Sequence, residues 1–187
     1  MRIDGIDASG ELDYVDDLTI RVAFASDAPS IAALMRRTHT LLPNPDLYVI
    51  ADEAHVAWML EMNSFGYIVE RDGEPGAFSL FMRPGHDRSE NLGYEAGLSD
   101  AELDRVLCVD SVCVLPVLRG RGLQRELIRM GEREGIRRGA DIFMATVDPR
   151  NEPSLRNFTA SGYRVVKRVG RMYAAGVPRL ILMKQHL

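Results

Sequence analysis

The sequence predicts a single-domain α/β protein with a mixed, partly parallel central sheet flanked by helices. Three observations carry this. From residue 109 onward, β-branched and apolar runs (109–115, 141–147, 163–169, 179–183) alternate with amphipathic segments (120–138, 152–161), the pattern of strand–helix–strand crossovers on one sheet. Ahead of them, 67–71 and 77–82 flank the turn residues Asp72-Gly73-Glu74-Pro75-Gly76, a hairpin that adds antiparallel strands. The chain has 187 residues with no repeat, low-complexity tract or linker, and a single domain of that size buries roughly 70% of its unfolded surface.

Taken in order, residues 1–16 form an acidic N-terminal extension before a domain over 17–187. Residues 18–24, LTIRVAF, make a strand. Ser26 or Asp27 then caps a helix, with Pro29 in its first turn and Ile31, Leu34, Met35 and Leu41 or Leu42 on one face. Pro43 and Pro45 end it, and a second helix covers 52–62. After the hairpin, the polar, Gly-bearing stretch 83–99 has no period and reads as a long loop, the kind of segment that often carries function. Ser99 and Glu102 make a capping box for a short helix through Leu107. In the helix over 120–138, Leu123, Leu127, Met130 and Gly131 form the buried stripe. Arg121, Arg125, Arg129, Arg133 and Arg137 fall opposite as a mostly solvated face, while Glu134 falls on the apolar side with no evident reason.

The composition, 46% hydrophobic and 27% charged, is ordinary for a globular protein, and no apolar run approaches the ~20 residues of a membrane span. The acidic opening lacks the apolar centre of a signal peptide, so a cytoplasmic location is expected. Cys108 and Cys113 share one strand at odd spacing, which sets them on opposite faces unless a bulge intervenes; they read as reduced packing residues. The net charge of −4 hides a division: residues 1–110 hold 8 Arg/Lys against 21 Asp/Glu, and residues 111–187 hold 15 against 6. A cleft shared by the two parts suits a phosphate-bearing partner on one side and a cationic one on the other. Glutamates interleave with the helix arginines, which argues against a nucleic-acid stripe.

The run Arg119-Gly120-Arg121-Gly122-Leu123-Gln124 leaves a strand at Pro116 and opens a helix. Unpaired amides at such a junction, with the helix dipole behind them, form a cradle for a diphosphate. The spacing fits neither G-x-G-x-x-G nor G-x-x-x-x-G-K-[ST], the two commonest nucleotide cradles. Of the side chains beside the turn, Arg119 and Arg121 have the best claim to phosphate.

Two ordered blocks, VDSVCVLPVLRGRGLQRELI and NEPSLRNFTASGYRVV, resemble the signature blocks of the GNAT superfamily of acetyl-CoA-dependent N-acetyltransferases. The resemblance is close over about 107–169 and implies the GNAT-like fold. It implies that amides from Arg119 to Gln124 (Arg119, Gly120, Arg121, Gly122, Leu123 and Gln124) hold the pyrophosphate of coenzyme A, with Gln124 standing where Gly or Ala is usual. Val112, Cys113 and Val114 would lie along the thioester and pantetheine arm, with the backbone of Val112 and Val114 contacting it. In the second block Asn151, Ser154, Phe158, Gly162 and Tyr163 match, and Asn151 would contact the pantetheine arm. A Tyr often stands at the position of Phe158 and protonates the departing thiolate, which Phe158 cannot do. The same residues also read as a capped helix, Asn151 being the N-cap and Gly162 the stop.

The resemblance implies transfer of an acetyl group from acetyl-CoA, as cosubstrate, to a primary amine of a small molecule or peptide, by direct attack and without a metal. The alternative is a non-catalytic acyl-CoA-binding or regulatory module. Asp110, on the central strand just before Ser111 and Val112, is the candidate general base or amine-binding carboxylate. A carboxylate held in a structural network at a strand edge reads equally well. Glu95 and His86 on the long loop are further candidates, Glu70 reads as solvated, and Trp58, Tyr48 and Tyr94 are candidates to line a substrate pocket, with core packing the preferred reading for Trp58. A homodimer through an exposed strand is an open expectation.

Overall fold

The computed structural model describes residues 11–15, 17–62, 64–173 and 176–186, with the side chains of 11–15 left out. Eight strands form one sheet: β1 (Glu11–Val15), β2 (Leu18–Val22), β3 (Ser64–Arg71), β4 (Glu74–Met82), β5 (Val106–Val114), β6 (Ile142–Val147), β7 (Arg164–Met172) and β8 (Val177–Gln185). Their order across the sheet is β1-β2-β3-β4-β5-β6-β8-β7. Six helices accompany them: α1 (Ala28–Thr40), α2 (Glu53–Glu61), the single turns α3 (Gly93–Ala96) and α4 (Asp100–Leu103), α5 (Leu123–Arg137) and α6 (Glu152–Ala160).

The expected α/β class holds, with a smaller parallel share than the alternation suggested. Only β5 and β6 pair in parallel; β8 enters between β6 and β7, antiparallel to both. Burial explains the placement. β8 brings Ile181, Leu182 and Met183 into the core, whereas β7 carries Arg164, Lys167, Arg168 and Arg171 and is mostly exposed, a strand suited to an edge. Within the stretch read as an acidic extension, Glu11–Val15 forms the opposite edge, paired with β2; residues 1–10 and 16 lie outside the described residues.

Several boundaries move for local reasons. The hairpin turn contracts to Asp72-Gly73, both at positive φ (53° and 79°), the conformation of a two-residue turn between twisted strands. The short helix expected through Leu107 stops at Leu103, because β5 begins at Val106. Asp27 stands at the cap of α1 but caps no helix amide; it accepts from Phe24 N at 2.8 Å and pairs with Arg21. Pro29 does lie in the first turn, and Leu41 is exposed rather than on the buried face.

The two faces of the sheet bury different helices. On one, Ile31 and Met35 of α1 and Val56 and Met59 of α2 pack on Ile68, Phe78 and Leu80. On the other, Leu123, Leu127 and Met130 of α5 and Phe158 of α6 pack on Phe81, Leu107, Val109 and Phe143. The arginine series on α5 is exposed as expected. Glu134 is half-buried and paired with Arg137 and Arg138, which accounts for its place beside the apolar stripe.

A bulge in β5 organises the centre. Leu80 pairs with Ser111 and Phe81 with Val109, so Asp110 is an extra residue with no partner in β4. Cys108 and Cys113 therefore face the same side, opposite Met82 and Phe78; both are buried and free. Pairing of β5 with β6 runs from Val106↔Ile142 to Val109↔Ala145 and ends there. Beyond the bulge the two strands part.

Candidate active site

A cleft of about 1080 Å³ follows this parting. At one end lies the turn into α5. Gly120 and Gly122 hold φ of +81° and +77°, which starts the helix at Leu123 instead of the expected Gly120. No side chain caps α5, and Glu126 N to Gly122 O is its first bond, so the amides ahead of it line the cleft unclaimed by the helix. A Cβ built on Gly120 meets nothing within 4 Å. That open space, edged by uncapped amides and by Arg119 and Arg125, fits the diphosphate of coenzyme A.

The other expected coenzyme residues gather along the same cleft. Val112, Cys113 and Val114 line it from β5, whose edge toward β6 is unpaired at this height. The Val114 carbonyl accepts from Arg119 Nε at 3.1 Å. Cys113 is buried, its Sγ 2.7 Å from Thr38 Oγ1, and burial pushes its thiol up to about 11. Asn151 caps α6, accepting from Ser154 N at 3.3 Å. Gln124 donates to Ser154 Oγ at 3.2 Å and accepts from Asn157 Nδ2 at 2.6 Å, so the residue that departs from the family pattern ties the start of α5 to α6. Phe158 is 4% exposed, its ring edge-on to Tyr163 with centroids 5.0 Å apart.

Asp110 sits where the strands begin to separate, exposed to the cleft. The protein around it displaces solvent and pushes its carboxyl above the ordinary range. The neighbouring Ser111 hydroxyl and His55 oppose that shift, while Glu90 adds to it. Tyr48 from the loop before α2, His55 from α2 and Tyr173 from the end of the β7–β8 hairpin complete this end of the cleft. Behind them, Asp148 (1% exposed) pairs with Arg179 (3%) at 3.0 Å and with Arg150 at 2.8 Å. Arg179 also donates to the Asp46 carbonyl at 3.1 Å, fastening the loop that carries Tyr48.

Some expected residues lie elsewhere. The Arg121 guanidinium turns out of the cleft and pairs with Asp17, while Arg125, read as part of the solvated face, lines the cleft. Glu95 pairs with Lys167 at 2.8 Å and His86 with Asp104 at 3.1 Å, both outside the cleft. Tyr94 donates to the His86 carbonyl. Glu70 is bound by Arg21 at 2.9 Å and is not simply solvated. Trp58 is 41% exposed, beside His55, and is not core. Sequence reasoning missed Glu90, His55, Thr146, Tyr173 and Arg179. No motif marks them, because loop residues 86 and 95 look the same as residue 90 until the chain folds; only the aromatic Tyr173 beside a turn offered a weak signal.

The GNAT acetyltransferase family model matches residues 32–163. No curated protein sequence matches the chain significantly. Solved structures agree at the level of the fold. The ribosomal-protein-S18-alanine N-acetyltransferase of Escherichia coli is 15% identical, with TM-score 0.65 over 90% of this chain and 93% of that one. The putative acetyltransferase yncA of Salmonella typhimurium, solved with acetyl-CoA, is 20% identical, with TM-score 0.65 over 91% and 94%. An N-acetyltransferase of Staphylococcus aureus Mu50 is 17% identical, with TM-score 0.65 over 91% and 99%. With the two signature blocks folded onto one cleft and the family model covering the first block and the second through Tyr163, the chain belongs to the GNAT acetyltransferase family and takes acetyl-CoA as its cosubstrate.

Proposed function

We propose that this acetyltransferase acts on a primary amine by direct attack, with Asp110 as the group that takes the amine's proton. The observation that carries the reading is the bulge: it sets a carboxylate with a raised pKa at the point where β5 and β6 part, inside the coenzyme cleft. A base whose pKa is lifted toward the working pH is better matched to accept a proton from an ammonium group. Acetyl-CoA supplies an acyl carbon joined to a thiolate leaving group.

The chain's own groups then divide the work. The amides from Gly120 to Gln124 and the Arg125 side chain hold the diphosphate, the Arg119 amide being taken by the Pro116 carbonyl at 3.2 Å, and the unpaired edge of β5 at Val112 and Val114 offers backbone bonds to the thioester carbonyl and the pantetheine arm. Asn151, already the cap of α6, presents its remaining polar atoms to the same arm. Phe158 has no proton to give, so water entering the open cleft protonates the thiolate; a thiol pKa near ~8.5 makes that leaving group tolerable. Cys113 is engaged with Thr38 and its raised pKa keeps it neutral, which supports attack without an acyl-enzyme.

No helix among the described residues is long and apolar enough to cross a membrane. The experiment is thiol release from acetyl-CoA in the presence of pooled amines. Release that depends on an amine and is lost in Asp110→Asn supports the reading. Coenzyme A binding without release from any amine overturns it in favour of the non-catalytic acyl-CoA-binding module.

A further inference from the structure

The two ends of the cleft differ in their charge balance. At the coenzyme end, Arg119 and Arg125 line the wall. At the Asp110 end the guanidinium groups are already engaged: Arg179 and Arg150 both bind Asp148, and Arg150 also reaches Asp46 at 3.7 Å. Asp52 caps α2 by accepting from His55 N at 2.8 Å. Asp110 and Glu90 line the same cleft and have no ion pair among the described residues. His55 is the basic neighbour left to them, and one imidazole does not balance two carboxylates.

The walls at this end are aromatic and polar groups are left unmatched. The Tyr48 hydroxyl is fully buried and makes no well-formed hydrogen bond among the described residues, Ser111 being the side chain beside it. Tyr173 holds φ of +60° in the tight turn after β7, where its carbonyl accepts from Gly176 N at 2.9 Å. Its hydroxyl lies 2.6 Å from Thr146 Oγ1 on β6, one residue past the last β5–β6 pair. The Arg179 guanidinium already stands over the Tyr173 ring, 5.7 Å from its centroid, so the Tyr48 ring and the two carboxylates without ion pairs are what favour a cation that also carries apolar length.

We infer that the acceptor is an aliphatic diamine or longer polyamine, one amine reacting at Asp110 and a second ammonium group held by Glu90 near the ring of Tyr48. This rests on the Asp110 end being the acceptor end. An acceptor with a carboxylate near its amine meets Glu90 and Asp110 as like charges and is disfavoured.

Three acceptors of one chain length test it: 1,4-diaminobutane, butylamine and 4-aminobutanoate, each with acetyl-CoA and thiol detection. The diamine is expected to exceed butylamine in kcat/KM by on the order of tenfold, with the amino acid below both. Glu90→Gln should shrink the diamine advantage over butylamine to about twofold, chiefly by raising the diamine KM. Equal or better turnover of 4-aminobutanoate, a diamine advantage unmoved in Glu90→Gln, or no turnover of any of the three overturns the inference. Calorimetric titration of the same protein with coenzyme A separates the two failures: tight binding leaves the coenzyme cleft standing when the acceptor assignment falls, and absent binding removes both.

Discussion

Replacing Arg179 with Met tests whether the Asp148 network holds the acceptor wall in place. Arg179 is 3% exposed and gives three bonds: to Asp148 Oδ2 at 3.0 Å, to the Pro178 carbonyl at 2.8 Å and to the Asp46 carbonyl at 3.1 Å. Removing one partner of a buried ion pair costs about 3–5 kcal/mol, because the other charge stays behind without compensation. Here Arg150 retains two bonds to Asp148, at 2.9 and 2.8 Å, so the carboxylate keeps a cation and the loss falls at the low end, about 3 kcal/mol. For a chain of this size that corresponds to roughly 6–12 °C in Tm. The Asp148 carboxyl is held below its ordinary 3.8, first by Arg150, with Arg179 contributing. A depressed acid stabilises the fold above its unfolded pKa and loses that contribution as pH falls through the folded value. The gap between wild type and Arg179→Met should therefore be full at neutral pH and narrow below 3.8. Thermal unfolding by circular dichroism across that range reads it, and a double-mutant cycle with Asp148→Asn should show at least about 1 kcal/mol of coupling. A Tm shift under about 2 °C at neutral pH, or additive single losses, would refute the reasoning.

The remaining expectations follow from the same geometry. Asp110→Asn should lower kcat by roughly 10²–10⁴-fold while raising Tm at neutral pH. A carboxyl whose folded pKa is raised costs stability once it ionises, so that gain in Tm should vanish below 3.8, where both states are protonated. In wild type, kcat/KM should fall as pH drops through a value above the ordinary carboxylate range, and a profile flat down to 3.8 would count against the base. Gly120→Ala forces a side chain into φ of +81° at about 1–2 kcal/mol and sets a methyl into the diphosphate space, so calorimetry should show weaker coenzyme A binding. Gln124→Ala removes the bonds to Ser154 and Asn157 and should lower Tm by about 2–4 °C; an unchanged Tm would mean that α5 and α6 are held by their apolar contacts alone.

The contrast between Glu95 and Glu90 shows where sequence reading stops. Both are acidic residues of one long polar loop, and nothing local distinguishes them. Folding pairs Glu95 with Lys167 of β7 and brings Glu90 to Asp110, a choice made by contacts far apart in the chain. Arg121 and Arg125 repeat the lesson across one helical turn, the first claimed by Asp17 and the second left at the cleft.

By itself the amino-acid order determined what depends on neighbours: the α/β class, the alternation of strands and helices, and the turn at Gly120 and Gly122 that leaves amides unclaimed. Their causes are side-chain periodicity and backbone torsion, both readable over a few residues. Tertiary structure alone decided that β8 lies between β6 and β7, that Asp110 is the bulged residue, and that Glu90, Tyr48 and Tyr173 line one cleft with it. Strand order and register are settled by which apolar faces can be buried together, a property of the whole sheet that no single stretch of chain contains.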